Sequence, residues 1–378
     1  MKKIYFWSPH IDPQVATLKS VLNSINSLAK YKKNSKNFLI NVFGEWDNFN
    51  LKLIEKINLI KNRNLKNRKF KGFFNSRYLY FSIFLLSYLP LKKILNKHKP
   101  DYLVIHLITS IPILLFIFNK FKTVLILRIS GYPKLNPLRF LLWKIASTKI
   151  KYVICPTEET KNFLLKKNIF RQNQLIFIPD PILTIRKINF LKREKLERQI
   201  IPPFFLCVGR FTKQKNHIFL INFFSKNPHY LKNHKLIIIG HGELEKSYNE
   251  IIKDKKLSNK VEILSYKKNI FKYIFNAKCV ISCSLWEDPG FVMIESAYVG
   301  TPIISSDCPS GPKEFIGKNE NGFIFKSNDE NSFREALDNF TNSSKNEIER
   351  KLINAKKKSK MYTCFYNSKK LSNLLNGY

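Results

Sequence analysis

Short apolar runs alternate with stretches of helical periodicity from one end of this chain to the other, and few folds accept that pattern. A strand, a helix and a further strand in succession must cross over and pair in parallel, which gives sheets built of βα units. The first run is Ile4–Trp7. Val15, Leu18, Leu22, Ile25 and Leu28 then recur at three- and four-residue steps and predict a helix. Phe38–Phe43, Tyr102–Leu107, Val124–Leu127, Tyr152–Cys155 and Leu175–Ile178 read as further strands. Helices are expected over Ile111–Phe118, Leu138–Ala146 and Thr160–Leu165.

The rhythm breaks at Pro179-Asp180-Pro181 and the charged stretch that ends in Lys192-Arg193-Glu194-Lys195, where a domain boundary is expected. It then resumes with strands over Phe204–Val208, Leu236–Ile239, Val261–Leu264, Cys279–Ser282 and Pro302–Ser305. The expected organisation is an N-terminal domain over 1–185, a C-terminal domain over 198–344 and a Lys-rich helical tail over 345–378. Each domain is expected to be α/β, Rossmann-like and doubly wound. Such domains bind ligands at the carboxyl ends of their strands, so two of them would face each other across a cleft.

Composition bounds the partners. The 378 residues carry 66 Lys plus Arg against 27 Asp plus Glu, a formal charge of +39. With 44% hydrophobic residues, that charge does not mean disorder, and the length suits two domains. Such a charge favours anionic partners: nucleic acid, anionic lipid or phosphorylated substrates. The bland alternative is a coding bias, since Gly numbers only 12 while Lys, Asn, Ile and Phe abound. The six cysteines lie in or beside apolar runs with no CxxC pair, and read as buried, reduced, small hydrophobes in a cytosolic protein. Ile4–Trp7 runs straight into polar Ser8–Asp12, unlike a secretory signal, and no apolar stretch reaches the ~18–20 residues of a spanning helix. One segment breaks the βα scheme: Arg63, Lys66, Arg68, Lys69, Lys71 and Arg77 lead into aromatic-rich Tyr78–Leu89, followed by Lys92 and Lys93. That is the pattern of a segment lying on an anionic membrane surface, or else of a buried helix after a solvated loop.

The residues able to do chemistry gather in the second half. In Ser284–Ala297, Glu287 follows a strand, Pro289-Gly290 opens a helix, and Glu295 falls inside it, completing E-x7-E. Free N–H groups near Gly290, Phe291 and Val292 suit an anion at a helix N-terminus. After the first strand of the same half, Gly209-Arg210-Phe211-Thr212-Lys213-Gln214-Lys215 offers two cations, Arg210 and Lys215, able to neutralise a diphosphate.

Gly209-Arg210 with Lys215, Gly240-His241-Gly242, the Glu287/Glu295 pair and Gly300-Thr301-Pro302-Ile303-Ile304 together resemble retaining glycosyltransferase family 4, also called group 1. Asp307–Glu314 further resembles members that extend bacterial surface or lipid-linked oligosaccharides. The resemblance implies the two-domain GT-B fold, a nucleotide-diphosphate sugar donor (UDP type favoured), no metal and no cofactor. It implies that Arg210 and Lys215 bind the diphosphate and that Glu287 contacts donor sugar hydroxyls. Glu295 would take the ribose, and Gly290, Phe291 and Val292 would offer amides. Gly209 and His241 would shape the donor loops. Two departures concern the acceptor side. The loop after the first strand, His10-Ile11-Asp12-Pro13-Gln14, lacks glycine, and Arg128-Ile129-Ser130-Gly131-Tyr132 stands where the family often has a catalytic histidine. His10 and His106 are acceptor-side substitutes, His106 being equally readable as a core histidine.

The function expected is transfer of a hexose or N-acetylhexosamine to a lipid-linked or surface-polysaccharide acceptor, with retention, at the cytoplasmic face of the inner membrane. A nucleotide-sugar epimerase of the same fold is one rival. A basic nucleic-acid-binding protein is the other, although the Tyr78–Leu89 stretch is too apolar for it.

Overall fold

Strand β1 (Lys2–Trp7) shows why its sequence reads as a continuous apolar run. Ile4 and Phe6 enter the core on one face of the sheet while Tyr5 and Trp7 enter it on the other. Both faces of a parallel sheet are covered by helices, so period-two alternation disappears. The structure is a computed structural model that describes residues 1–9, 16–32, 34–49, 51, 53–60, 73–197 and 203–376. The chain forms two compact units, Met1–Pro181 together with Cys364–Tyr378, and Ile182–Thr363.

In the first unit β1 is joined by β2 (Ser35–Asn41), β3 (Glu55–Asn58), β4 (Tyr102–Ile105), β5 (Val124–Arg128), β6 (Ile150–Cys155) and β7 (Leu175–Phe177). They pair in parallel in the order β3-β2-β1-β4-β5-β6-β7. Helices α2 (Phe73–His98), α3 (Ser110–Phe118), α4 (Pro137–Ala146) and α5 (Glu158–Lys166) bury residues against one face. Helix α1 (Ala16–Tyr31) covers the other.

In the second unit, after α6 (Ile185–Leu191), the strands are β8 (Phe204–Val208), β9 (Lys235–Ile239), β10 (Val261–Leu264), β11 (Cys279–Ser282), β12 (Ile303–Ser306) and β13 (Phe323–Phe325). Their order is β10-β9-β8-β11-β12-β13, again parallel. The intervening helices are α7 (His217–Lys226), α8 (Glu245–Asp254), α9 (Phe271–Asn276), α10 (Phe291–Val299), α11 (Gly311–Ile316) and α12 (Glu330–Asn342). Both units therefore carry the doubly wound α/β sheet expected of them.

The tail is not one appendage. Helix α13 (Lys345–Ser359) packs on α10 and α11 in the second unit. The chain then crosses back, and α14 (Cys364–Asn376) packs along α1 in the first. Much of that seam is polar: Ser24 Oγ donates to Asn367 Oδ1 (3.1 Å), Ser368 Oγ to Ser27 O (3.2 Å) and Asn367 Nδ2 to Pro179 O (2.8 Å). Buried hydroxyls and amides satisfied in this way leave no apolar signature in the sequence. Strands β3 and β13 were also invisible to periodicity, one being polar at both ends and the other three residues long.

Of the expected membrane segment, 61–72 lies outside the described residues, and the side chains of 73–79 are likewise not described. The remainder belongs to α2, where Tyr80, Phe81, Leu85, Leu86 and Leu89 are exposed and not core. Among the described residues no helix is long and apolar enough to cross a membrane.

Candidate active site

In the second unit the strand order reverses between β8 and β11. Loops leaving two such strands diverge and leave a crevice at their carboxyl ends, which is where doubly wound sheets take ligands. The β8 loop carries Gly209 to Lys215 and the β11 loop carries Ser284 to Gly290. Topology thus brings together the cationic pair and the first carboxylate.

They make contact. Glu287 Oε1 accepts hydrogen bonds from Lys215 Nζ, 72 residues away in the chain, and from Ser284 Oγ at 2.7 Å. Glu287 is buried and Lys215 largely so. The backbones are tied as well. Leu285 N–H donates to Gln214 O (2.8 Å), and Gln214 Nε2 donates to Trp286 O (2.9 Å). On its far side Glu287 bridges Ser310, with N–H to Pro309 O and Ser310 N–H to Glu287 O both at 2.6 Å. With its carboxylate held by two side chains and its backbone tied to the next loop, Glu287 is preorganised, because its position no longer has to be found when a ligand arrives. Arg210 differs: it is exposed and has no side-chain partner among the described residues.

The β9 loop supports this arrangement. Gly240 lies so close to the β8 loop that an added Cβ would stand 1.9 Å from Gly209 O, so no larger residue fits. Phe211 N–H donates to His241 O (2.8 Å), and the His241 ring meets Tyr266 edge-on at 5.8 Å. His241 shapes this loop through its backbone. Gly290, at φ +94°, sits in the left-handed region before α10, which glycine adopts without strain. The first N–H groups of α10, from Phe291 and Val292 onward, lack intrahelical acceptors as in any helix. Glu295 is buried within α10.

Beneath the Lys215 turn lies a cluster that sequence spacing could not reveal. Cys207, His217 and Cys283, all buried, have ligand atoms within 4.8 Å of one another. Cys207 Sγ lies 3.1 Å from His217 Nδ1, and Cys283 Sγ donates to Lys215 O (3.3 Å) and Asn216 O (3.1 Å). The hydrogen bond from Cys283, with His217 beside it, holds the Cys207 thiol well below its ordinary range, while burial pushes Cys283 well up. These are metal-ligand types, but here they bond one another and the carbonyls of the turn that presents Lys215. Two of the six cysteines are therefore polar braces and not merely small hydrophobes.

In the first unit the order reverses between β1 and β4. His10 lies outside the described residues. His106 follows β4 directly, its N–H donating to Trp7 O at 2.9 Å. Its ring is buried, and neither ring nitrogen has a partner among the described residues. Burial, and then the Arg128 cation, hold its pKa well below the ordinary 6.5, so the imidazole is neutral. Arg128 itself, at the end of β5, is buried and paired with Asp180. The pair Arg128–Asp180 and the residues Ser284, Gln214 and Ser310 were not singled out from sequence. Ser284 had a readable signal, its position three residues before Glu287.

Residues 190–359 match the family described as glycosyl transferases group 1. An uncharacterized glycosyltransferase of Methanocaldococcus jannaschii is 31% identical over 243 residues, 59% of this chain and 60% of that protein. A Campylobacter jejuni N-acetylgalactosaminyltransferase, named for an N-acetylgalactosamine-N,N'-diacetylbacillosaminyl-diphospho-undecaprenol substrate, is 33% identical over 134 residues, 35% of this chain and 36% of that one. The chain thus spans less than two thirds of either relative. Among solved structures, Anabaena HepE in complex with UDP superposes with a TM-score of 0.73 over 100% of both chains at 14% identity. At that identity the likeness shows the fold, two parallel-sheet α/β domains as in GT-B enzymes.

Proposed function

From the match of residues 190–359 to the glycosyl transferases group 1 family, we propose that the protein transfers a hexose or N-acetylhexosamine from a UDP-type sugar to a lipid-linked or surface-polysaccharide acceptor. Transfer retains anomeric configuration and needs no metal. The lipid-linked acceptor in the name of the Campylobacter relative and the UDP bound by Anabaena HepE support the acceptor and donor classes. The observation that carries the reading is the contact of Lys215 with Glu287 at the strand-order reversal.

In this mechanism the second unit holds the donor. Arg210 and Lys215 stabilise the diphosphate as its bond to the sugar loosens, and the amides of Gly290, Phe291 and Val292 add dipoles of the same sign. Glu287 orients donor sugar hydroxyls and Glu295 the ribose. A covalent sugar ester on Glu287 is disfavoured, because Oε1 already accepts from Lys215 and Ser284 and is a poorer nucleophile for it. The acceptor hydroxyl therefore attacks from the face that the diphosphate leaves. The first unit takes the acceptor, and the proton of its hydroxyl passes to the departing diphosphate oxygen on that same face, since the burial that keeps His106 neutral also opposes its protonation. The enzyme works peripherally at the cytoplasmic face of the membrane.

The test is incubation with UDP-, GDP- and ADP-sugars, reading thermal protection and sugar release with and without chelator. A UDP-sugar should protect and be turned over in chelator, and the product formed on a glycan acceptor should keep the donor's anomeric configuration. Failure of every nucleotide sugar to protect would overturn the donor assignment, and inversion would overturn the mechanism.

A further inference from the structure

The outer side of a helix in a doubly wound domain ordinarily faces water and is polar. Two helices of the first unit break this rule in the same way. On α2 the residues Phe81, Leu85 and Leu89, spaced four apart, form an exposed apolar stripe, with Phe81 60% and Leu89 69% exposed. The same spacing continues into Lys93 and Lys97. On α4 the residues Leu138, Leu141 and Ile145 form a second stripe, Leu138 being 81% exposed. The helix turns Trp143 and Ala146, with partly buried Leu142, toward the core. Both helices pack against α3, whose last residue, Phe118, is 72% exposed. None of the three contains Asp or Glu, in a chain that has 27 such residues. Their cations include Lys92, Lys93, Lys97, Arg139 and Lys144.

We propose that α2 and α4 together form a docking face for an anionic phospholipid bilayer, with both apolar stripes entering the headgroup boundary. Apolar and aromatic side chains beside cations, with no carboxylate, match an anionic interface in both of its properties. A second copy of this chain is a poorer occupant, because it would bring like charge against like. The face belongs to the first unit and the donor loops to the second, so its test does not depend on the transferase reading. It extends the segment singled out in the sequence, since α4 lies some fifty residues beyond it.

The full-length protein is floated with vesicles of phosphatidylglycerol and phosphatidylcholine, and with phosphatidylcholine alone, over rising salt. The wild type should float with the anionic vesicles and keep a salt-resistant fraction. Leu138→Gln with Leu141→Gln and Ile145→Gln should weaken binding by about tenfold or more and abolish that fraction. Lys92→Gln with Lys93→Gln, Arg139→Gln and Lys144→Gln should remove the preference for anionic lipid. These positions are mostly exposed, and circular dichroism confirms that the variants are folded. The idea is overturned if the wild type stays unbound at low salt, if the α4 variant floats like the wild type, or if that variant instead turns a dimer into a monomer in sedimentation.

Discussion

Lys215 and Glu287 share a largely buried contact, so removing one leaves the other without its counter-charge. Lys215→Met and Glu287→Gln should each lower stability by roughly 1–3 kcal/mol and turnover by about 10²–10³. Urea unfolding with sugar-release kinetics separates the two effects. Arg210→Ala, at an exposed and unpaired position, should lower turnover alone. Near-normal turnover in all three variants would remove the donor assignment. His106 gives a prediction of the opposite sign. Its folded pKa is held well below 6.5, so the unfolded chain binds a proton that the native one does not, and stability is lost as pH falls below 6.5. His106→Phe removes two unpartnered buried nitrogens and should flatten that decline in a series of thermal unfolding scans from pH 7.5 to 5. Unchanged pH dependence would mean that the ring is solvated in solution. A loss of turnover with stability kept would assign His106 to the acceptor.

At the scale of elements, α14 is the piece whose place follows least from its neighbours in sequence. It supplies Leu371, Leu374 and Leu375 to the core beneath α1, together with the buried amide of Asn367. A chain ending at residue 363 should therefore expose α1 and destabilise the first unit while leaving the second intact. Hydrogen exchange reads this directly. Protection should fall in α1 and β2 and persist in β8 and β11. Uniform loss across both units would show that α14 acts on the whole chain, and no loss would show that its packing contributes nothing. Helix α4 makes the complementary point. Its apolar run predicts a helix from the sequence without saying which way that helix faces, and in the structure the residues at 138, 141 and 145 point outward.

At the scale of the whole molecule, chain order and sheet order are different kinds of information. The sequence by itself determined the class: apolar runs too continuous for one-sided sheets, joined by helices, leave parallel doubly wound units as the solution, and Phe204–Val208, Val261–Leu264 and Cys279–Ser282 were legible residue by residue. It also displayed the residue types expected to meet a sugar donor, because Arg210, Lys215 and Glu287 follow strands and Glu295 falls inside a helix in a pattern that resembles group 1 transferases. Only the tertiary structure decided which of them touch. The reversal between β8 and β11 brings Lys215 to Glu287 across 72 residues and stacks Cys207, His217 and Cys283 under the turn, and no local spacing encodes that. Tertiary structure alone likewise set α14 against α1 through buried serines and asparagines, and turned the stripes of α2 and α4 outward. The physical reason is common to all of these. Periodicity reports that a residue has a partner face, whereas hydrogen-bonded polar seams and the direction of a helix's apolar face depend on what the rest of the chain places beside it.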